Sequence, residues 1–128
     1  MIFTDLQHKE LIKTFRELIL KSHTIKIISP FITKQAFNIF NDEFDSFFEN
    51  KGKLQILTTT YNKDGSGFHY QDLTQINKMG DTQIKVQVIT NQAPIHMKVY
   101  VFETHQGVFV ISGSSNMTSK GLSYGEEL

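Results

Sequence analysis

The sequence predicts an α/β domain in which a mixed parallel and antiparallel sheet is flanked by helices. Three observations lead there. Short β-branched runs of strand length alternate with stretches of helical period over the first 80 residues. From residue 82 the apolar rhythm changes to period two. The last two apolar runs are separated only by a short turn containing Gly, the mark of a hairpin. The resulting order is α-β-α-β-α-β-β-β, followed by a loop and a helix.

Each element has its own signal. Residues 5 to 21 carry Leu11, Phe15 and Leu18 on one stripe with Ile12 and Ile19 beside it, the spacing of an amphipathic helix packed on a core. Residues 25 to 29, IKIIS, form a brief apolar run closed by Pro30 and suit a buried strand. Thr33 then offers a side-chain oxygen as an N-cap, and Phe37, Phe40, Phe44 and Phe47 or Phe48 recur at helical spacing until Gly52 stops the pattern. This aromatic stripe reads as core. Residues 53 to 58, KLQILT, are a second strand, and the Gly, Asn and Asp of residues 61 to 68 mark an irregular loop. Leu73, Ile76 and Met79 define a short helix closed by Gly80. Ile84, Val86 and Val88 then alternate with Gln83, Lys85 and Gln87 as a third strand. IHMKVYVF at 95 to 102 and VFVIS at 108 to 112 flank the turn at Thr104 to Gly107.

Bulk composition narrows the function classes. A chain of 128 residues is the size of one domain, so residues 1–128 are read as a single unit. Hydrophobic residues make up 39% and charged residues 20%, with eleven Phe, which is the composition of a folding chain. Thirteen basic residues balance thirteen acidic ones, so any contact with a polyanion must be local. Cysteine is absent, which removes disulfides and thiolate chemistry and agrees with a reducing cytoplasm. No run approaches the ~20 apolar residues that span a bilayer, so no membrane association is expected.

The chemistry concentrates at one place. Alternation in residues 95 to 102 sets His96, Lys98, Tyr100 and Phe102 on one face and Ile95, Met97, Val99 and Val101 on the other. Beyond the hairpin the chain reads GSSN, residues 113 to 116, ahead of the last helix, where free amides and hydroxyls favour an anion. A hairpin brings the start of one strand within about 5 Å of the end of its neighbour. His96, Lys98, Ser114 and Asn116 therefore converge, with Gly113 and Ser115 in the same turn. An imidazole serves as nucleophile or base, an ammonium neutralises phosphate oxygens, and hydroxyl and carboxamide donate directional hydrogen bonds. That set suits attack on a phosphodiester and requires no metal or cofactor.

The same residues carry a family resemblance. His96-Met97-Lys98, the acidic Glu103 and Gly113-Ser114-Ser115-Asn116 resemble the HKD signature of the phospholipase D superfamily: His, any residue, Lys, four residues, Asp, then a Gly-Ser-x-Asn turn. Glu103 stands where the pattern has Asp, at a position that supports structure. The segments IKIISPFIT and LQILTTTYN are similar to bacterial members related to restriction endonucleases and to N-terminal modules of DEAD/DEAH-type helicases. The resemblance implies a phospholipase D-like fold and a metal-independent phosphodiesterase acting through a phosphohistidine. It also implies a homodimer that brings two copies of the motif together. Many members orient the imidazole with an acid after the GSxN helix, for which Glu126 and Glu127 are the candidates, Glu127 being the one preferred here. Family domains generally continue with further strands, so the resemblance implies an N-terminal or truncated part of a longer protein.

Two functions from different classes follow as expectations. The first is a nuclease acting on DNA rather than RNA in the cytoplasm. The second is a catalytically silent DNA-binding and dimerisation module of a helicase or restriction enzyme, favoured by the neutral charge. A lipid hydrolase ranks third, for want of an interfacial apolar segment. His8 and His23 read as surface residues, His105 as an exposed turn residue and His69 as the opening of the short helix after a Gly-rich loop, while Tyr61, Asn62 and Lys63 at a strand end are candidates to line the cleft. The five His show no ligand pairing at helical or strand spacing, so no metal site is expected.

Overall fold

The structure, a computed structural model, describes residues 2–4, 8–30, 32–59, 70–89 and 98–113. Its centre is a six-stranded sheet: β1 (Ile2–Thr4), β2 (Ser22–Ile28), β3 (Lys53–Thr59), β4 (Ile84–Ile89), β5 (Val99–Thr104) and β6 (Gly107–Ser112), in the order β1-β6-β5-β2-β3-β4. The β2-β3-β4 half is parallel, β5 is antiparallel to both β2 and β6, and β1 closes the edge parallel to β6. The α/β class and the mixed sheet are as the sequence indicates. Parallel neighbours need crossovers, and helices supply them: α2 (Lys34–Ile39) and α3 (Asn41–Glu49) between β2 and β3, and α4 (Tyr70–Met79) between β3 and β4. The remaining helix, α1 (His8–Lys21), runs directly into β2.

All four described helices lie on one face of the sheet. Strand residues of one parity, Ile25, Ile27, Leu54, Ile56, Ile84, Tyr100, Phe102 and Ile111, are buried there with Leu11, Phe15, Leu18 and Ile19 of α1 and the Phe stripe of α2 and α3. Phe15 stacks on Phe40 at 5.4 Å and meets Tyr100 and Phe102 edge-on at 4.9 and 5.4 Å. These are the offset and perpendicular geometries that ring quadrupoles favour. Arg16 adds an ion pair to Glu43 at 3.0 Å, tying α1 to α3. The opposite parity carries Lys26, Gln55, Lys85 and Gln87, exposed on a face that no described helix covers. No described helix is long and apolar enough to cross a membrane.

Several boundaries differ from the sequence reading. The Phe stripe is two helices: Phe40 leaves helical geometry at φ −111°, ψ 32°, its N–H bonding Phe37 O at 3.0 Å while its own carbonyl starts α3 by accepting from Phe44 at 2.9 Å. Thr33 is the N-cap, accepting from the Ala36 N–H at 3.3 Å, and Asp72 of α4 accepts the Lys34 N–H at 2.8 Å. At the end of α3 the left-handed residue is Lys51, at φ 65°, and not Gly52. The Lys51 and Gly52 N–H groups return to Phe48 O and Phe47 O at 3.0 and 2.9 Å, the Schellman arrangement. Gly52 is small for another reason: a Cβ there would lie 2.5 Å from the Phe47 ring. Strand β2 begins at Ser22, ahead of the expected residue 25, and β1 had no sequence signal. The start of the strand expected from residue 95, the 61–68 loop and the helix expected after GSSN lie outside the described residues.

Candidate functional site

The strand ends define where a site can form. The carboxyl ends of β1, β2, β3, β4 and β6 lie together with the start of β5, because Thr4 pairs with Ser112, Ile28 with both Val99 and Leu57, and Thr59 with Ile89. In open α/β sheets, ligands bind outside the carboxyl ends of the strands. Of the signature residues, Lys98 and Gly113 fall at this end of the hairpin.

Lys98 immediately precedes β5 and Gly113 immediately follows β6. The ladder pairs Val99 with Ser112, and the Gly113 N–H donates to Lys98 O at 3.3 Å, extending the register by one step. Period-two parity therefore sets Lys98 on the helix-covered side, in line with Tyr100 and Phe102. Those two rings are buried under α1, whereas Lys98 is half-buried at the end of the sheet. None of the described residues pairs with its ammonium. A cation on a half-buried stem at a strand end is suited to holding an anion.

The structure thus brings together Lys98 and Gly113. His96, Ser114, Ser115, Asn116, Glu126 and Glu127 lie outside the described residues, as do Tyr61, Asn62, Lys63 and His69. The chain itself keeps His96 two residues before Lys98 and Ser114 next to Gly113.

Glu103 is elsewhere. It sits near the far end of β5 with the opposite parity to Lys98, and its Oε2 accepts from Lys26 Nζ at 2.9 Å across the β2–β5 pair. The acidic position of the signature thus braces the uncovered face of the sheet. Sequence reasoning missed Lys26 as its partner, although the outward parity of Lys26 within IKIIS was the available signal. The same face carries a shallow groove of about 210 Å³ lined by Lys26, Ile28, Gln55, Leu57, Lys85 and Gln87, which includes neither Lys98 nor Gly113.

Comparisons with known proteins bear on the family and the fold. Residues 9–127 match the model of the NgoFVII restriction endonuclease N-terminal PLD domain. Among solved structures, the crystal structure of polyphosphate kinase from Porphyromonas gingivalis is similar over 79% of this chain, with a TM-score of 0.54 and 9% sequence identity. The chain spans 16% of that kinase's length, and the likeness is one of fold. No curated protein matches the chain.

Proposed function

The chain belongs to the family of NgoFVII restriction endonuclease N-terminal PLD domains, a phospholipase D-like fold, and from that premise we propose that it is a metal-independent phosphodiesterase that cleaves DNA through a phosphohistidine. One observation carries the reading: Lys98 and Gly113, which bound the two halves of the signature, are joined across the hairpin at the carboxyl end of the sheet. The family match supports the substrate class, since the matched model is a domain of a restriction endonuclease. As in that model, the domain is proposed to be the N-terminal part of a longer protein.

The chemistry needs two imidazoles on opposite sides of phosphorus. A nitrogen of His96 attacks the phosphorus and forms a P–N bond, while His96 of the partner subunit gives its proton to the leaving oxygen as the P–O bond breaks. A water then attacks the phosphorus, losing its proton to that second imidazole, and as the new P–O bond forms the P–N bond breaks and releases the first imidazole. Lys98, Ser114 and Asn116, with the Gly113 and Ser115 backbone, stabilise charge on the nonbridging oxygens. Glu127, or Glu126 beside it, orients the His96 ring. A single motif per chain makes a twofold homodimer the simplest complete site.

The test is cleavage of plasmid DNA in EDTA by wild type and His96→Ala. Cleavage persists in chelator and falls about a thousandfold in the variant. Loss of activity in EDTA, or its survival in His96→Ala, overturns the mechanism. Salt-sensitive DNA binding by a dimer with no turnover would instead favour the silent module, a reading that the exact balance of thirteen basic and thirteen acidic residues keeps in view.

A further inference from the structure

At the opposite end of β5 from Lys98, the rings of His23 and His105 lie with centroids 5.3 Å apart and planes inclined by 47°. Both side chains are exposed. The backbone under each is fixed by a distinct device. In the β2–β5 ladder Ser22 pairs with Thr104 and Thr24 with Glu103, which leaves His23 as the extra residue of a β-bulge. Bulges re-aim a side chain, and this one stands beside the β5–β6 turn. His105 opens that turn, and Thr104 Oγ1 holds it by accepting from the Gln106 N–H at 3.1 Å and donating to Gly107 O at 2.9 Å. The left-handed conformation the turn demands falls on Gly107, at φ 136°.

We propose that His23 and His105 form a two-imidazole chelate for a zinc-class divalent cation. The centroid separation leaves room for one ion between the rings. A Zn–N bond of about 2.0–2.1 Å plus roughly 1.15 Å from ring nitrogen to ring centre puts each centroid about 3.2 Å from the ion, so a tetrahedral angle separates the centroids by about 5.2 Å. The observed separation is 5.3 Å. His23 has its orienting partner in place, with Nδ1 3.1 Å from Thr24 Oγ1. When Nδ1–H donates to that hydroxyl, Nε2 keeps the lone pair that binds metal. With His23 so oriented, the exposed His105 ring can turn about χ2 to aim at the same ion without moving the backbone.

The described residues hold no set of three or more ligating groups. Water therefore completes the coordination, and the site is open and weaker than a four-ligand structural centre. Imidazole ligands select zinc, nickel or copper over magnesium and calcium. The six residues of β5 span about 20 Å at ~3.3 Å each, which keeps the site apart from Lys98. The inference therefore stands whatever the reaction at His96. A bound ion would clamp the bulge of β2 to the β5–β6 turn and stabilise the sheet by mass action.

The experiment is calorimetric titration of Zn²⁺ into chelator-stripped protein, with Mg²⁺ as control, for wild type, His23→Ala and His105→Ala. Circular dichroism checks that the variants fold. Wild type takes up one Zn²⁺ per chain with no response to Mg²⁺, and each variant binds at least about tenfold more weakly. In the wild type, Zn²⁺ shifts the imidazole NMR signals of both residues together. Absence of zinc uptake by wild type, wild-type affinity in either variant, or imidazole shifts confined to other His overturns the proposal.

Discussion

The carbonyl of Lys98 accepts the Gly113 N–H at 3.3 Å, one step past the last paired residues of the β5–β6 hairpin. That bond fixes Gly113 against Lys98, while the acidic member of the signature, Glu103, points to the other face and pairs with Lys26. The signature therefore divides into a part at the strand end and a part that braces the sheet.

Substitutions at its two ends separate these roles. Lys98→Ala is expected to lower DNA cleavage about 10²–10³-fold by removing charge at the phosphate, with little change in thermal midpoint. Glu103→Gln is expected to leave cleavage near wild type and to cost about 0–1 kcal/mol in urea unfolding, because the Lys26 and Glu103 side chains are 47% and 29% exposed. Equal loss of cleavage in both variants would contradict the division.

The C-terminus of α3 makes an opposed pair. Lys51 sits at φ 65°, where a side chain carries a steric cost, so Lys51→Gly is expected to stabilise the domain by about 1 kcal/mol. Gly52→Ala is expected to destabilise it by about 1–3 kcal/mol, since the new methyl would meet the Phe47 ring at 2.5 Å. Chemical denaturation midpoints read both signs.

Phe15 is the ring on which the two layers meet. Phe15→Ala removes contacts to Phe40, Tyr100 and Phe102 at a fully buried position and is expected to cost about 3–5 kcal/mol. A loss below about 1 kcal/mol in equilibrium unfolding would mean that the layers do not share this core.

At the head of α2, Thr33→Ala is expected to cost about 1 kcal/mol by freeing the Ala36 N–H, and Thr33→Ser to restore most of it. Unfolding of both variants under the same conditions checks the cap directly.

What the sequence made legible was the part governed by period and local caps. Alternation located β4, β5 and β6, and Thr33 announced its own helix. The break at Phe40 left no trace, because Phe37, Phe40 and Phe44 keep helical spacing through it and only the backbone angles change. Strand β1 is three residues on a sheet edge, too short to show a period, and it exists through its pairing with β6. The glycine after α3 was the expected helix stop, yet the turn falls on Lys51, since the Phe47 ring rather than φ demands Gly52. At the strand end, spacing linked Lys98 to Gly113 because a hairpin is a local structure. The His23 and His105 pair could not be read that way, since a bulge and a turn distant in sequence bring the rings together.

The placement of β5 between β6 and β2 bears on how the domain is made. Ile28 pairs with Val99 and Ile2 with Val110, so the middle and one edge of the sheet join strands separated by about 70 residues or more of sequence. Contacts that close such long loops slow folding. During synthesis the parallel half has emerged well before its antiparallel neighbour, leaving the edge of β2 unpaired until residue 104 clears the ribosome. The sheet end that carries Lys98 and Gly113 then forms after the other described strands, and a nascent chain halted before β5 holds most of the core without it.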